Sequence, residues 1–288
     1  MGKIRIGTSG WDYDEWRGSF YPEELPHRRE LEYLGERFGT VEVNGTFYAL
    51  SRPGSFRQWY EAMPPEGVLA IKGSRFITHN KKLNDVEVAL ANFLASGVLE
   101  LKDKLGPILW QLPDNIAVAP SRIDRFLGLL PHDSDSAAAV AARHDDRVPE
   151  GAVSVEHNHR MRHVLEVRHQ DHLTAQVARI ARSHGVALAF SHSSQWRYIE
   201  EITAGFVYLR LHGPGEIYAS RYGEKQLRWW ADRIRRWRAG GQPAGATRLT
   251  DTLPPERTER DVYVYFDNTA AGHAPREATR LIEMIEGR

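Results

Sequence analysis

The sequence has no cysteine in its 288 residues. This absence excludes disulfide bonds, zinc sites built from thiolates and a cysteine nucleophile. No apolar run approaches the roughly 18 residues that predict a membrane-spanning helix. The chain also enters a strand pattern at Lys3 without the features of a signal peptide. We therefore predict a cytoplasmic protein that does not bind membranes.

Neither sign of charge is in excess, because Lys plus Arg and Asp plus Glu both number 38. Without a net charge, no long-range field draws the protein toward nucleic acid or an anionic surface. Nucleic acid is therefore not favoured as a partner, and a small molecule is. With 41% hydrophobic residues the chain can bury a large core. We expect a monomer or a weak oligomer.

Residues 206–215 have the clearest pattern in the sequence. Val207, Leu209 and Leu211 alternate with side chains of another kind, of which Arg210 and His212 are the last two. Such alternation predicts a strand with one apolar and one polar face. A Gly-Pro-Gly turn follows at once, which places both polar residues near the carboxyl end of that strand.

Seven further strand patterns alternate with mostly helical ones. The eight predicted strands cover residues 3–10, 40–48, 68–73, 105–113, 163–169, 186–192, 206–212 and 261–268. Pro53, with Ser55, opens a helix after the second strand. We expect Asp85 to cap the helix that carries Leu90 and Phe93, and another helix to cover residues 171–184.

Eight strands joined in this way fit a (β/α)8 barrel, which usually takes about 250 residues. An open, doubly wound sheet is the alternative. Polar residues at the carboxyl ends of most strands favour the barrel, because barrels bind their ligands at that end. We predict an α/β fold with a single TIM-barrel domain over residues 1–288, parallel strands and outer helices. Residues 131–162 are predicted to form a surface excursion within it.

The polar residues at the predicted strand ends are too many for the usual barrel interior of Val, Ile and Leu. They are Glu42, Asn44, Lys72, His79, Gln111, Glu166, Arg168, His192, Arg210, His212, Asp267 and Asn268. One interpretation is a buried ion-pair network, because unpaired buried charges are strongly destabilising. The other, which we favour, is a site at the barrel mouth whose remaining positive charge receives an anion.

Three cations in one mouth suit a phosphate or carboxylate group, because arginine binds it in a bidentate way and lysine as a point charge. The predicted anion-binding residues are Lys72, Arg168 and Arg210. The predicted proton-transfer residues are His212 and His79, and also Glu166 and Glu42 if burial raises their pKa values. Asn44, Gln111, Asp267 and Asn268 complete the predicted polar ligand contacts. A hydrolase, an isomerase-like enzyme and a non-catalytic binding barrel all stay open.

A metal-dependent phosphodiesterase is the rival interpretation. Nitrogen and oxygen ligands are offered by His79, His192, His212, Glu42, Glu166 and Asp267. Against it, no pair of histidines with ligand spacing stands at a strand end, and the three cations would repel a dication. We predict no cofactor and no metal ligands, with a divalent metal kept as the alternative.

Aromatic side chains are frequent in the loops after the strands. Rings at a pocket mouth stack on sugars, bases or other flat groups. Trp16, Phe20 and Tyr21 fit a small core within their own loop better than a binding surface. The predicted aromatic ligand contacts are Trp11, Tyr48, Tyr218 and Tyr222.

A series of short motifs runs from the first strand to the last helix. They are Ile-Gly-Thr-Ser-Gly-Trp at 6–11, Phe-Tyr-Pro at 20–22, Glu-Val-Asn-Gly-Thr-Phe-Tyr at 42–48, Arg-Phe-Ile-Thr-His at 75–79 after Lys72, Leu-Gly-Pro at 105–107 with Gln-Leu-Pro at 111–113, Glu-Val-Arg-His at 166–169, Arg-Leu-His-Gly at 210–213 and Tyr-Phe-Asp-Asn at 265–268. In this order they resemble the family called domain of unknown function 72, the YecE-like family. The resemblance implies a TIM barrel.

The resemblance implies no established activity. The fold is similar to endonuclease IV and xylose-isomerase-like barrels, which suggests phosphodiester or sugar chemistry by analogy of fold alone. The chain also departs from the family pattern at one place. Residues 169–172, His-Gln-Asp-His, lack the tryptophan that the resemblance implies near Arg168.

Overall fold

Eight parallel strands, hydrogen-bonded in chain order, close into a barrel in the computed structural model, which describes residues 2–115 and 117–287. The first strand pairs with the last, so the sheet has no open edge. The predicted (β/α)8 fold is confirmed. The strands are β1 (Ile4–Ser9), β2 (Thr40–Val43), β3 (Val68–Lys72), β4 (Leu105–Gln111), β5 (His163–Glu166), β6 (Ala187–His192), β7 (Phe206–Leu211) and β8 (Asp261–Phe266).

Helices fill the connections and surround the barrel. The α-helices are α1 (Glu30–Phe38), α2 (Gly45–Tyr48), α3 (Pro53–Ala62), α4 (Glu87–Ala95), α5 (Pro120–Leu129), α6 (Ser134–Ala141), α7 (Ala175–Ser183), α8 (Glu224–Arg238) and α9 (His273–Glu286). A π-helical turn, Phe76–Asn80, follows β3. Within the described ranges, no helix has both the length and the apolar character to cross a membrane.

The core forms two layers because the strands bury both of their faces. The larger layer lies between strands and helices and includes Val41, Leu209 and Trp230. The smaller layer fills the barrel interior and consists of Val68, Ala70, Leu109, Val164, Ala187, Ala204, Phe206, Tyr208, Tyr263 and Tyr265. Along β7 the two layers alternate residue by residue, as the sequence pattern predicts.

Three tyrosines mark the change from the apolar to the polar part of the interior. The Tyr265 hydroxyl hydrogen-bonds with Thr40 Oγ1 at 2.8 Å, and Tyr208 donates to Glu42 at 2.6 Å. The ring of Tyr263 lies beside that of Tyr208. A buried tyrosine suits this level because its ring packs while its hydroxyl finds a partner. Beyond these rings the inward side chains are charged.

Four strands end two or more residues before their predicted ends, among them β4, which ends at Gln111. β2 ends at Val43, and the residues from Gly45 to Tyr48 form the short helix α2. β5 ends at Glu166 and β8 at Phe266. The residues beyond these ends lie in the mouth of the barrel. Loop geometry, not sheet pairing, therefore sets their positions.

The prediction that Asp85 caps α4 is wrong. The helix begins at Glu87, and the preceding Val86 makes no capping bond with its side chain. Lys82, Leu83 and Asp85 all have positive φ, at 52°, 64° and 48°. This backbone region is unfavourable for residues other than glycine. The chain turns sharply here while the side chains of Leu83 and Val86 are buried in the core.

The helix predicted over residues 171–184 is shorter than expected. α7 begins at Ala175, because Thr174 is its cap and its hydroxyl accepts a hydrogen bond from the N–H of Val177. The preceding residues, Gln170–His172, form a 3₁₀ turn.

Residues 131–162 contain the helix α6 and otherwise irregular chain. Asp133 caps α6 by accepting from the N–H of Ser136 at 2.8 Å. Farther along the segment, Asp145 exchanges two hydrogen bonds of 2.9 Å with Asn92 of α4. Ala137 and Ala141 are buried on the face of α6 that meets the core.

The close contact of β1 with β2 yields a stability prediction. A Cβ atom added at Gly7 would lie 2.2 Å from the carbonyl oxygen of Thr40. Because backbone cannot move aside cheaply, we expect Gly7→Ala to lower the free energy of unfolding by about 1–3 kcal/mol or more. Urea unfolding followed by circular dichroism measures this difference.

Gly45→Ala is the matched control. A Cβ atom at Gly45 meets nothing within 4 Å, and the residue lies in α2. Its stability is expected to stay at or slightly above that of the original protein, because alanine favours helix. Equal losses in both variants would contradict the close-contact argument.

Candidate functional site

One side chain, Arg210, organises the polar part of the barrel interior, and it is fully buried. Its Nε donates to Glu42 Oε2 at 3.0 Å. Its Nη2 donates to Glu42 Oε1 at 2.8 Å and to Asp267 Oδ2 at 3.0 Å. Its Nη1 donates to Glu166 Oε2 at 3.1 Å and lies 3.0 Å from His212 Nε2. We call Arg210, Glu42, Glu166 and Asp267 the hub.

The carboxylates of the hub have further donors that sequence reasoning missed. The Ser9 hydroxyl donates to Glu42 Oε1 at 2.5 Å, and the Ser191 hydroxyl donates to Glu166 Oε1 at 2.5 Å. Tyr208 donates to the second oxygen of Glu42. These donors lie on inward positions of β1, β6 and β7. Alternation of side chains along each strand could have predicted their inward orientation.

Glu166 and Asp267 of the hub are ionised. Burial alone would raise the pKa of Glu166, but Arg168 and Arg210 hold that pKa well below its usual value. Arg210 acts in the same way on the pKa of Asp267. The sequence-based condition for proton transfer by Glu166, a pKa raised by burial, is therefore not met. Its carboxylate compensates charge instead.

This geometry also changes the role predicted for Arg210. All of its N–H groups are used inside the protein, and none of its surface is exposed. A ligand cannot reach it. Of the three predicted cations, Lys72 and Arg168 are the ones that lie nearer the mouth.

Lys72 is the last residue of β3 and lies two positions beyond Ala70, which pairs with Glu42. It is 8% exposed, and the one contact recorded for its ammonium group among the described residues is the ring of Phe47, at 4.4 Å. No hydrogen bond or ion pair reaches Nζ within those same ranges. Burial, reinforced by the charge of Arg210, lowers the pKa of Lys72 to about 8.

Arg168 lies two residues beyond Glu166, and its Nε is 3.4 Å from that carboxylate. Its Nη1 donates to the Tyr218 hydroxyl at 3.2 Å. The guanidinium stacks over the ring of Trp196, 4.6 Å from the centroid. A tryptophan does lie against Arg168, but it comes from the loop after β6 and not from residues 169–172. Sequence reasoning missed it because that loop has no periodic pattern.

His212 joins the hub to Arg168. Its Nε2 lies 3.0 Å and 3.1 Å from Nη atoms of Arg210 and Arg168, and 3.2 Å from Asp267 Oδ2. Its Nδ1 is buried and has no partner among the described residues. Burial lowers the pKa of His212, although the hydrogen bond with Asp267 acts in the opposite direction. The imidazole is therefore neutral near pH 7.

Two smaller polar groups complete this level of the site. His79 lies on the π-helical turn, with Nδ1 2.9 Å from the Thr78 hydroxyl and its ring edge-on to Phe47. Burial, then the charges of Lys72 and Arg168, lowers the pKa of His79. Asn44 donates from Nδ2 to Ser9, whereas its Oδ1 is buried without a described partner. We call Lys72, Arg168, His212, His79 and Asn44 the rim layer.

Several predicted contacts lie behind the mouth. The Tyr222 hydroxyl hydrogen-bonds with His192 Nδ1 at 2.8 Å and accepts from the N–H of Gly213, and Tyr222 is buried. Asn268 is buried too and donates to Glu277 and to the carbonyl of Ser220. His192 packs against Trp230 of α8, on the outer side of its strand. These residues fix the loops and offer little to a ligand.

The remaining predicted contacts lie around the mouth. Gln111 ends β4 opposite Glu166 in register and is buried. Tyr218 is 39% exposed, and Tyr48 is 68% exposed with its ring edge-on to Phe47. Trp11 packs edge-on against Trp59 of α3. The interpretation of Trp16, Phe20 and Tyr21 as a local core is confirmed, because their rings are in mutual contact.

Potential metal ligands converge at one place among residues 2–115 and 117–287, and it is not the hub. Asp12, His27 and Glu30 have ligand atoms within 4.8 Å of one another. Glu30 already pairs with Arg17 at 2.6 Å, and that positive charge disfavours a dication. In the hub, the guanidinium of Arg210 occupies the position among the carboxylates that a metal would need. Neither set fits a metal well.

Fold and site together define a (β/α)8 barrel with a charged cluster at the carboxyl ends of its strands. The family model described as "Protein of unknown function DUF72" matches residues 5–288. The chain belongs to the DUF72 family. The resemblance read from the motifs is confirmed.

Solved structures of the same family share this fold. A DUF72 family protein from Thermotoga maritima MSB8 is 22% identical, with a TM-score of 0.73 and coverage of 99% of both chains. A DUF72 family protein from Enterococcus faecalis V583 is 13% identical, with a TM-score of 0.66 and coverage of 100% of this chain and 99% of its own. No curated protein matches the chain.

The hub yields a prediction about stability. Arg210→Met would leave three buried carboxylates without their cation, so we expect a loss of about 3–5 kcal/mol in the free energy of unfolding. The loss should be largest at neutral pH. The ion pairs stabilise the fold above the ordinary pKa of a carboxylate, about 4, and this contribution is lost as the pH falls below it. Urea titrations between pH 3 and 7 measure both effects.

Arg228→Met on α8 is the control for removing an arginine. Arg228 is 66% exposed and lies 3.7 Å from Glu224, so its loss is expected to leave stability unchanged. If Arg210→Met were as stable as this control at pH 7, the hub would not hold the barrel together.

Proposed function

We propose that the barrel mouth binds a small organic anion, one that carries a phosphate or carboxylate group, between Lys72 and Arg168. The observation that carries the proposal is the buried ammonium group of Lys72. It lies at the carboxyl end of a barrel strand, and no described residue forms an ion pair or hydrogen bond with it.

An unpaired buried ammonium is costly, so a partner from outside the protein is expected. The carboxylates nearby do not serve, because Arg210, Ser9 and Tyr208 already use their oxygens. Hydrogen bonding is therefore complete within the hub, whereas the Lys72 ammonium feels these carboxylates only at a distance and has no direct partner among the described residues. A bound anion would supply the missing partner.

Arg168 supports the same site from the other side. Its guanidinium is held flat by Trp196 and fixed by the Tyr218 hydroxyl, which leaves a preorganised surface for a planar anion. The charges of Lys72 and Arg168 both act on His79, which supports a common binding space bordered by the three groups. The indole N–H of Trp196 is buried without a described partner and offers a further donor.

The position of the cations, and not an excess of positive charge, is what favours an anion at this site. Three cations, Lys72, Arg168 and Arg210, face three carboxylates, Glu42, Glu166 and Asp267, so the cluster as a whole is neutral. What favours an anion is position, because the carboxylates lie in the hub and the two available cations lie nearer solvent. A small ligand that reaches the rim layer is therefore selected over a large polyanion.

If the site is catalytic, His79 is the best candidate for the general base. Its pKa is lowered by burial and by nearby positive charge, so the imidazole is neutral at pH 7 and can accept a proton. Glu166 is held as a carboxylate by Arg168 and Arg210, so it has no proton to donate. Among the predicted proton-transfer residues Glu166, His212, Glu42 and His79, the half-buried His79 therefore comes first and the fully buried His212 second.

We do not favour the metal-dependent phosphodiesterase. The acidic residues of the mouth surround a guanidinium, and Lys72 and Arg168 flank them, so a dication would meet three positive charges. A non-catalytic binding barrel shares the anion site proposed here, and the same binding test applies to it.

Sulfate is a suitable probe, because its charge is constant from pH 6 to 9. We expect Arg168→Gln to weaken sulfate binding about tenfold or more, since a charge-assisted hydrogen bond contributes about 1.5–3 kcal/mol. Affinity should also fall as the pH rises through about 8, where Lys72 loses its proton. Isothermal titration calorimetry measures both.

Arg228→Gln, on the outer helix α8, is the matched control and should bind sulfate as the original protein does. Lys72→Met should remove the pH dependence near 8 while Arg168 retains weak binding. Affinity that is unaffected by Arg168→Gln and Lys72→Met would contradict the proposed site.

A further inference from the structure

Two lysines of the described residues are buried, and they differ in what their amines contact. Lys104 donates two hydrogen bonds of 2.7 Å to the carbonyl oxygens of Tyr60 and Met63. Lys72 donates none that the structure describes and faces only the ring of Phe47. Lys104 is thus fixed by the backbone, whereas the amine of Lys72 is available.

The surroundings of Lys72 favour its neutral form. With a pKa of about 8, about one amine in ten is unprotonated at pH 7. An exposed lysine, with a pKa of about 10.4, has a far smaller share. A neutral amine in a barrel mouth is a nucleophile.

We propose that Lys72 attacks an aldehyde or ketone group of the bound anion and forms an imine with it. This inference rests on the proposed function, because Arg168 must hold the anionic group while the carbonyl lies against Lys72. It names the substrate class more closely: a small molecule that carries both a carbonyl group and a carboxylate or phosphate.

The step is balanced without a cofactor. The neutral amine forms a bond to the carbonyl carbon, and the carbonyl electron pair moves to oxygen, which takes up a proton to give a carbinolamine. The nitrogen gives up one proton as the carbinolamine forms. A proton delivered to the hydroxyl group then lets it leave as water while the nitrogen lone pair forms the C=N bond, which gives the protonated imine. His79, which is neutral and on the adjoining turn, is the group placed to accept and return the proton.

The test uses glyoxylate, an aldehyde with a carboxylate, together with cyanoborohydride, which supplies the hydride that reduces the imine to a stable secondary amine. Peptide mapping by mass spectrometry then gives the rate at each of the seven lysines. We expect labelling at Lys72 to be at least about tenfold faster than at the exposed Lys225, because more of its amine is neutral. The rate at Lys72 should increase with pH and level off above about 8.

Acetaldehyde, which has no anionic group, separates this proposal from the proposed function. Preference for glyoxylate over acetaldehyde at Lys72 should be lost in Arg168→Gln, and Lys104 should stay unlabelled with both.

Sulfate binding without selective labelling of Lys72 would contradict the imine and leave the proposed anion site intact. Equal labelling by both aldehydes would support a nucleophilic Lys72 and contradict the anion site. Lys72→Arg should abolish the selective adduct.

Discussion

The barrel depends on one buried guanidinium that binds three buried carboxylates. Arg210 binds Glu42, Glu166 and Asp267 at once. If one partner is removed, the charge that remains is buried with neither its ionic partner nor water to stabilise it. Hydroxyl groups of the surrounding Ser9, Ser191 and Tyr208 donate further hydrogen bonds to these carboxylates. The charged level of the barrel interior, above the apolar layer, is stable because this network is complete.

Completeness of the hub also decides where ligand chemistry can occur. Polar groups whose hydrogen bonds are all made inside the protein cannot bind a ligand. The polar groups that could bind one therefore lie in the rim layer, nearer solvent. There the ammonium of Lys72 has no ionic partner among the described residues, Arg168 presents a stacked guanidinium, and burial lowers the pKa of His79. The hub acts on this layer through its field, since the charge of Arg210 helps to lower the pKa of Lys72.

Much of this arrangement could be predicted from alternation along the strands. Alternation along the strands predicted that Lys72, Arg168 and Arg210 point into the barrel. The presence of eight strand patterns predicted the barrel fold itself. Pairing could not be predicted, because Arg210 and Glu42 are 168 positions apart and nothing local shows that they meet. Tyr222 was predicted to be a mouth residue because its long-range partner could not be predicted either. Its hydroxyl hydrogen-bonds with His192, away from the mouth. Trp196 lies in an irregular loop, which carries no periodic signal.

The separation of the hub residues along the chain has a consequence for how the barrel can be divided. Glu42 belongs to the first half of the strands, whereas Glu166, Arg210 and Asp267 belong to the second. A fragment with β1–β4 would bury a carboxylate with no arginine, and the complementary fragment would lack the acceptor for Nε of Arg210. Gene duplication of half-barrels, or splitting into two chains, would therefore require a different interior. Neither half of the barrel is expected to fold alone.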